Sequence, residues 1–302
     1  MQDIIFYLTA ILYLAAASVY TAYLFKRKDR VVIIAGRILM AGVALHTLGI
    51  IVRWAVVGRT PVTTLHESLF FFSWITAALY LAILFKYKLR VLGVFVAPFA
   101  LVLLITASFL PNRVMALPPV LASYWLWVHV PMAFLGNAFF AMAFFLGVMY
   151  IIQDYHLKNR KFRGIYHIMP SLDILDELNY KCLQYGFPLL TLAIITGAIW
   201  SEASLGSYWD WKPRQIWSLI TWFLYAALLH GRLTTGWRGK KAAIFSGIAF
   251  AVLVGSFFLI NMVSGGAHGM LNTKSGPAGV VVSDGEVGSL PHQSPPIARS
   301  AP

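Results

Sequence analysis

Eight histidines and ten tryptophans carry most of the chemistry this sequence offers, and both are unevenly spread. Trp200, Trp209, Trp211, Trp217 and Trp222 all fall between Gly197 and Trp222. Within that stretch, Gly206-Ser207-Tyr208-Trp209-Asp210-Trp211-Lys212-Pro213 sets flat rings between a backbone-permissive Gly and a φ-fixing Pro. Such a loop suits a large flat ligand if its rings lie coplanar. An aromatic belt at a membrane interface is the competing explanation, and it accounts for about two or three of the rings. His129 precedes this stretch and His268 follows it. Two neutral imidazoles level with an aromatic platform could ligate a haem iron from opposite faces. Taken singly, each is equally well a hydrogen-bonded surface group.

The elements that must position these residues are membrane helices. With 59% hydrophobic and 12% charged residues and a mean hydropathy of +0.73 over 302 residues, the chain reads as an all-α polytopic helical bundle. Eight spans are expected, at 4–25, 31–57, 65–85, 91–110, 125–152, 185–201, 215–231 and 243–263. The net charge of +13 would suggest nucleic acid in a soluble protein, but here its placement follows the membrane. Seventeen of the 24 Lys and Arg residues lie in one alternating set of connections, including Lys26–Arg30, Lys86–Arg90, Lys158–Arg163 and Arg238–Lys241. Positive charge marks the cytoplasmic side. Both termini and the tryptophan loop are therefore expected outside.

The N-terminal apolar run is too long and too poor in early basic charge for a cleaved signal peptide, so it is kept as the first span. Residues 153–184 are expected to hold a short amphipathic helix lying against the membrane, with Leu172, Leu175 and Leu178 on its apolar side. Residues 1–269 form the membrane domain in this reading. Residues 270–302, rich in Gly, Ser, Pro and Val without periodicity, form a disordered external tail. Only Cys182 is present, which excludes a disulfide framework, a Cys-x-x-Cys redox pair and a thiolate metal site.

The other histidines divide by depth. His230 falls near the cytoplasmic end of the seventh span, where it could cap the helix or bind a ligand. His46 is mid-span and therefore expensive, and a bond to a neighbouring helix carbonyl is the simpler account. His66 and Glu67 open the third span, where Glu67 orients the loop or caps the helix. His156 and His167 read as solvated among basic residues, and His292 belongs to the tail.

The tryptophan stretch resembles the "WWD" domain of haem-handling proteins of cytochrome c maturation, most closely the CcsA/ResC family. The resemblance rests on Gly197, Trp200, Gly206, Ser207, Tyr208, Trp209, Trp211, Pro213, Trp217, Thr221, Trp222, Tyr225 and His230. Where the family usually reads Trp-Asp-Pro-Lys-Glu, this chain has Trp211-Lys212-Pro213-Arg214-Gln215, and Leu205 stands where Trp is common. The resemblance implies a subunit of a cytochrome c synthase that presents haem b at the outer face for thioether attachment. It implies that His129 and His268 are external iron ligands. His230 would be a transmembrane one whose partner histidine comes from a CcsB/ResB-like protein. Trp200, Tyr208, Trp209, Trp211 and Trp217 would hold the ring. Apart from the resemblance, and in keeping with the loss of the motif's Asp, Lys212 and Arg214 could pair with haem propionates by charge-assisted hydrogen bonds. The implied partners are that membrane protein, an apocytochrome c with a Cys-x-x-Cys-His motif and the lipid bilayer, with no nucleic acid. The absence of a transit-like N-terminus favours a bacterial cytoplasmic membrane. A haem carrier without ligation activity and a b-type electron-transfer subunit are the rival classes.

Overall fold

A segment in hydrocarbon must satisfy its own backbone polar groups, which leaves the helix as the default for apolar runs of this length. The computed structural model describes residues 2–58, 61–111, 124–160 and 164–271, with side chains described only in part beyond Phe257. Eight helices long and apolar enough to cross a membrane follow one another: α1 (Gln2–Lys26), α2 (Asp29–Val57), α3 (Leu65–Tyr87), α4 (Gly93–Ser108), α5 (Tyr124–Lys158), α6 (Leu172–Leu205), α7 (Pro213–Thr234) and α8 (Lys240–Leu271). Short 3-10 turns, Arg90–Leu92 and Gly164–Ile168, precede α4 and α6. No strand occurs among the described residues. The protein is thus a polytopic all-helical bundle.

Local chemistry sets the helix starts. The Thr64 hydroxyl accepts from Glu67 N–H while a Glu67 carboxylate oxygen accepts from Thr64 N–H, a reciprocal cap that opens α3. Ser171 caps α6, and Pro213 occupies the first turn of α7, where its missing N–H costs nothing.

α5 and α6 form the most extensive helix pair, made possible by small residues. A Cβ on Gly186 would come 2.8 Å from Cε1 of Phe140, so no larger residue fits without displacing that ring. Phe140 in turn stacks on Tyr225 of α7 with centroids 3.5 Å apart. Asn179, 3% exposed, donates to the Ala143 carbonyl at 2.7 Å and to Ser246 Oγ at 3.2 Å, tying α6 to α5 and α8.

Two expectations change here. The amphipathic segment ahead of the sixth span is not a separate surface helix: α6 runs unbroken for 34 residues, about 51 Å at 1.5 Å per residue. Its Leu175 and Leu178 are buried in the main apolar core, because their face meets the bundle rather than lipid headgroups. His268, expected past the end of the eighth span, lies within α8, which continues to Leu271. Contacts divide the chain into two units, and the second begins at Met262. Of that unit the backbone to Leu271 is described; the His268 side chain, His292 and the tail assigned to 270–302 lie outside the described residues, apart from Met270 and Leu271 at the end of α8.

Candidate functional site

His129 projects from the first turns of α5 onto α6. Its Nδ1 lies 2.7 Å from the carbonyl oxygen of Ala193. A carbonyl only accepts, so Nδ1 carries the proton and the neutral ring keeps its lone pair on Nε2. Metal-ligating imidazoles are held in this way, with the second nitrogen tied to a carbonyl. The ring lies over Gly197, where a Cβ would come 2.9 Å from Cε1 and 3.0 Å from Nδ1. Arg214, in the first turn of α7, is near enough for its charge to act on His129. The site residues from α5, α6 and the start of α7 therefore converge at the tryptophan end of the bundle. Among the described residues no group of three or more His, Cys, Asp or Glu could hold a metal ion.

Trp200, in the last turns of α6, and Trp209, in the loop between α6 and α7, are half-buried, and neither indole N–H has an acceptor among the described residues. Trp211 is 67% exposed and Tyr208 60% exposed. Trp217 is half-buried on α7. The coplanar arrangement of rings is not found: Trp209 and Trp211 meet edge to face, with centroids 5.8 Å apart and planes at 83°. Trp211 adopts φ +55°, a left-handed conformation uncommon for an aromatic residue. Trp222 serves packing instead: its indole N–H donates to Thr191 Oγ1 at 2.9 Å and its ring stacks near Phe187.

Polar groups close this loop on itself. Gln215 Oε1 accepts from the backbone N–H of Asp210 at 3.0 Å and of Lys212 at 3.3 Å, so the amide does the capping work open to a Glu at that position. Lys212 Nζ sits 2.7 Å from Asp210 Oδ2. That ammonium holds the Asp210 carboxyl below its ordinary range. Lys212 is therefore already paired within the chain.

His230 is exposed and shares an outward stripe of α7 with Ile216, Ile220 and Phe223. Arg232, two residues on and about 200° around the helix, points inward. Its guanidinium clasps Asp176 of α6 at 2.9 and 2.6 Å and lies 4.6 Å from the Tyr180 ring. Asp176 also accepts from Gly239 N–H at 2.8 Å, so one carboxylate joins α6, α7 and the turn into α8 beside a cavity of about 700 Å³. Asp176→Ala leaves the Arg232 charge uncompensated and should cost about 3 kcal/mol. Hydrogen exchange is expected to rise across 230–240 while the His129 region stays protected.

The remaining histidines depart from simple readings. His46 is fully buried, with Nδ1 3.1 Å from Tyr13 Oη of α1. Its ring packs 4.0 Å from Phe70. His66 is buried, with Nδ1 donating to the Ala107 carbonyl at 2.8 Å. His167 is exposed as expected, whereas His156 is half-buried with an unpartnered Nδ1, because its side of α5 faces protein.

Two features escaped the sequence reading. Arg53, expected among the external basic residues, is buried against Glu67 at 3.0 Å and also donates to Gln2 Oε1, uniting α1, α2 and α3. The neighbouring Trp54 packs against Trp127, two residues before His129, with ring centroids 4.8 Å apart and planes tilted by 47°. The run Trp125-Leu126-Trp127-Val128-His129 carried a signal for that contact; nothing local marked Arg53.

The fold and site define a polytopic helical membrane protein of cytochrome c assembly: the family model described as cytochrome C assembly protein matches residues 62–268. Curated proteins named cytochrome c biogenesis protein CcsA are similar. The one from Chlamydomonas reinhardtii is 34% identical over 241 residues, covering 76% of this chain and 67% of its own length. The one from Microcystis aeruginosa is 30% identical over 264 residues, covering 72% and 80%. The chain belongs to the CcsA family and takes part in cytochrome c maturation. A solved structure described as "Cytochrome c Heme Lyase CcmF" shares the fold, with a TM-score of 0.63 at 14% identity. The match covers 90% of this chain and about half (51%) of that one.

Proposed function

We propose that this chain is the haem-binding and haem-delivery subunit of a cytochrome c synthase, holding haem b at its tryptophan end for attachment to an apocytochrome c. The observation that carries this reading is the His129 imidazole, its tautomer set by the Ala193 carbonyl and its Nε2 left as a donor toward iron. Indoles of Trp200, Trp209, Trp211 and Trp217 and the Tyr208 ring would bear on the macrocycle. Arg214, with no ion-pair partner described, would meet a propionate by a charge-assisted hydrogen bond. The second ligand in this reading is His268. Bound haem supplies vinyl groups, across which the two cysteine S–H bonds of a Cys-x-x-Cys-His segment add to give thioethers. No side chain of this protein need act as nucleophile; fixed orientation and proximity supply the rate.

His230 gives the second half of the proposal. An imidazole on the outward stripe of a membrane helix is costly in lipid and inexpensive against a protein partner. A CcsB/ResB-like subunit would cover that face and supply the opposing ligand for haem entering at the basic end. The proposed setting is a bacterial cytoplasmic membrane, with both termini and the tryptophan loop outside and residues 270–302 as an external tail.

The test is co-expression of the chain with its CcsB-like partner and an apocytochrome, followed by detection of covalent haem and the reduced spectrum of the purified complex. His129→Ala should abolish covalent product and weaken the α and Soret bands, and added imidazole should restore both. Bands that survive in His129→Ala and fade in His230→Ala would move the reading to a carrier. Retained haem with no covalent product from the wild-type complex would do the same.

A further inference from the structure

The Asp210–Lys212 pair brackets the strained Trp211, and its two groups are the only acid and one of two bases in the 206–214 loop. Both side chains are solvent-accessible, at 26% and 56%, so water competes for the contact and the pair is weak. The surrounding loop is not weak. Gln215 Oε1 ties down the N–H groups of Asp210 and Lys212, and the Ser207 hydroxyl both accepts from Trp209 N–H and donates to the Trp209 carbonyl. A well-held backbone thus carries a loosely held ion pair, at the point where the Trp209 and Trp211 rings stand perpendicular. Arg214, two residues on, is exposed and carries no ion pair among the described residues, and its charge reaches the His129 imidazole. The loop therefore presents one free cation and one whose carboxylate is supplied internally.

We infer that Asp210 is an internal stand-in for a ligand carboxylate: Lys212 exchanges its Asp210 partner for a propionate when haem binds, and Asp210 thereby sets affinity and selects for ligands bearing free carboxylates. This rests on the haem-binding reading above. It assigns Asp210 a role as a competitor rather than a ligand, and it makes Lys212 a specificity-determining residue. The exchange swaps one ammonium–carboxylate contact for another, so no proton moves. The weakness of the resident pair keeps its cost small. Releasing Lys212 also frees the bracket across Trp211, letting that ring turn toward the plane of Trp209.

The experiment titrates the purified complex of full-length chain and partner with haem and with haem dimethyl ester, for wild type, Asp210→Asn, Lys212→Gln and the double variant. The near-UV circular dichroism of the ligand-free proteins is recorded alongside. Asp210→Asn should bind haem roughly two- to fivefold more tightly, the range of an exposed ion pair, with no gain for the diester. Its tryptophan exciton signal should change before any ligand is added. Lys212→Gln should lose part of the preference for free propionates, keeping the part that Arg214 supplies, and the double variant should show no gain over Lys212→Gln. An equal gain for both ligands, a loss for haem in a folded Asp210→Asn protein, or a gain that persists in the double variant would overturn the exchange. Failure of the wild type to bind either ligand would instead overturn the haem-binding reading itself.

Discussion

Gly197→Ala is expected to leave the protein folded and to cut haem affinity by about 10- to 100-fold, the usual cost of disturbing a group that orients a metal ligand. The added methyl would meet His129 at 2.9 Å from Cε1, closer than real Cβ atoms sustain, and at a tight 3.0 Å from Nδ1, so the ring must move. Moving it breaks the 2.7 Å bond to Ala193 and releases the tautomer that bond imposes. The helix itself gains, since Ala is favoured over Gly by about 1 kcal/mol in a helix interior. That gain roughly offsets the lost hydrogen bond of about 1 kcal/mol. Stability and ligand binding should therefore part company. Thermal unfolding would change little while the reduced Soret band weakens. A Gly197→Ala protein with wild-type haem affinity would show that His129 is not held by this seat in the functional state.

Glu67→Leu should be the most destabilising single change at the tryptophan end, by about 3–5 kcal/mol, with Tm lower by on the order of 10 °C. Glu67 is 2% exposed, and its removal as an anion leaves the buried Arg53 guanidinium, among the described residues, with the neutral Gln2 amide beside it. The same carboxylate accepts from Thr63 N–H and Thr64 N–H, so the start of α3 loses its cap as well. The combined Arg53→Met and Glu67→Leu change separates the two contributions. It removes both charges together and should recover most of the loss, leaving a deficit of about 1 kcal/mol from the cap. Thermal unfolding in detergent of the two variants and wild type reads this directly. Equal destabilisation by the single and double variants would mean that the cap, not the ion pair, holds α1, α2 and α3 together here. Because Trp54 follows Arg53 and packs against Trp127, the single variant should also perturb tryptophan fluorescence near His129.

The number of helices and their order were legible because a bilayer accepts few solutions: a long apolar run without charges has to be a span, and its length fixes its reach. Boundaries were less legible where a helix outgrows the membrane. The polar start of α6 looked like a separate element because Asp173, Asp176 and Glu177 break its hydropathy, yet Asp176 is consumed by Arg232 and the leucines between them face the core. The prominence of His129 and the tryptophan loop was legible from residue types alone. The partner of His129 was not, since Ala193 and Gly197 contribute a carbonyl and an absence of side chain, and neither leaves a chemical signature in sequence. Likewise Lys212 looked free for a ligand until its neighbour two positions earlier proved to hold it.

What the sequence by itself determined was therefore a membrane-spanning helical bundle with a tryptophan-rich connection and histidines placed at distinct depths, because hydropathy and residue chemistry act locally. The tertiary structure alone decided which nitrogen of His129 is a donor and which an acceptor, and that His230 faces outward while Arg232 faces inward. It also decided that Arg53 is buried against Glu67, and that Trp209 and Trp211 stand at right angles. Each of these depends on groups brought together across helices or on one backbone angle, and side-chain spacing along a chain encodes neither.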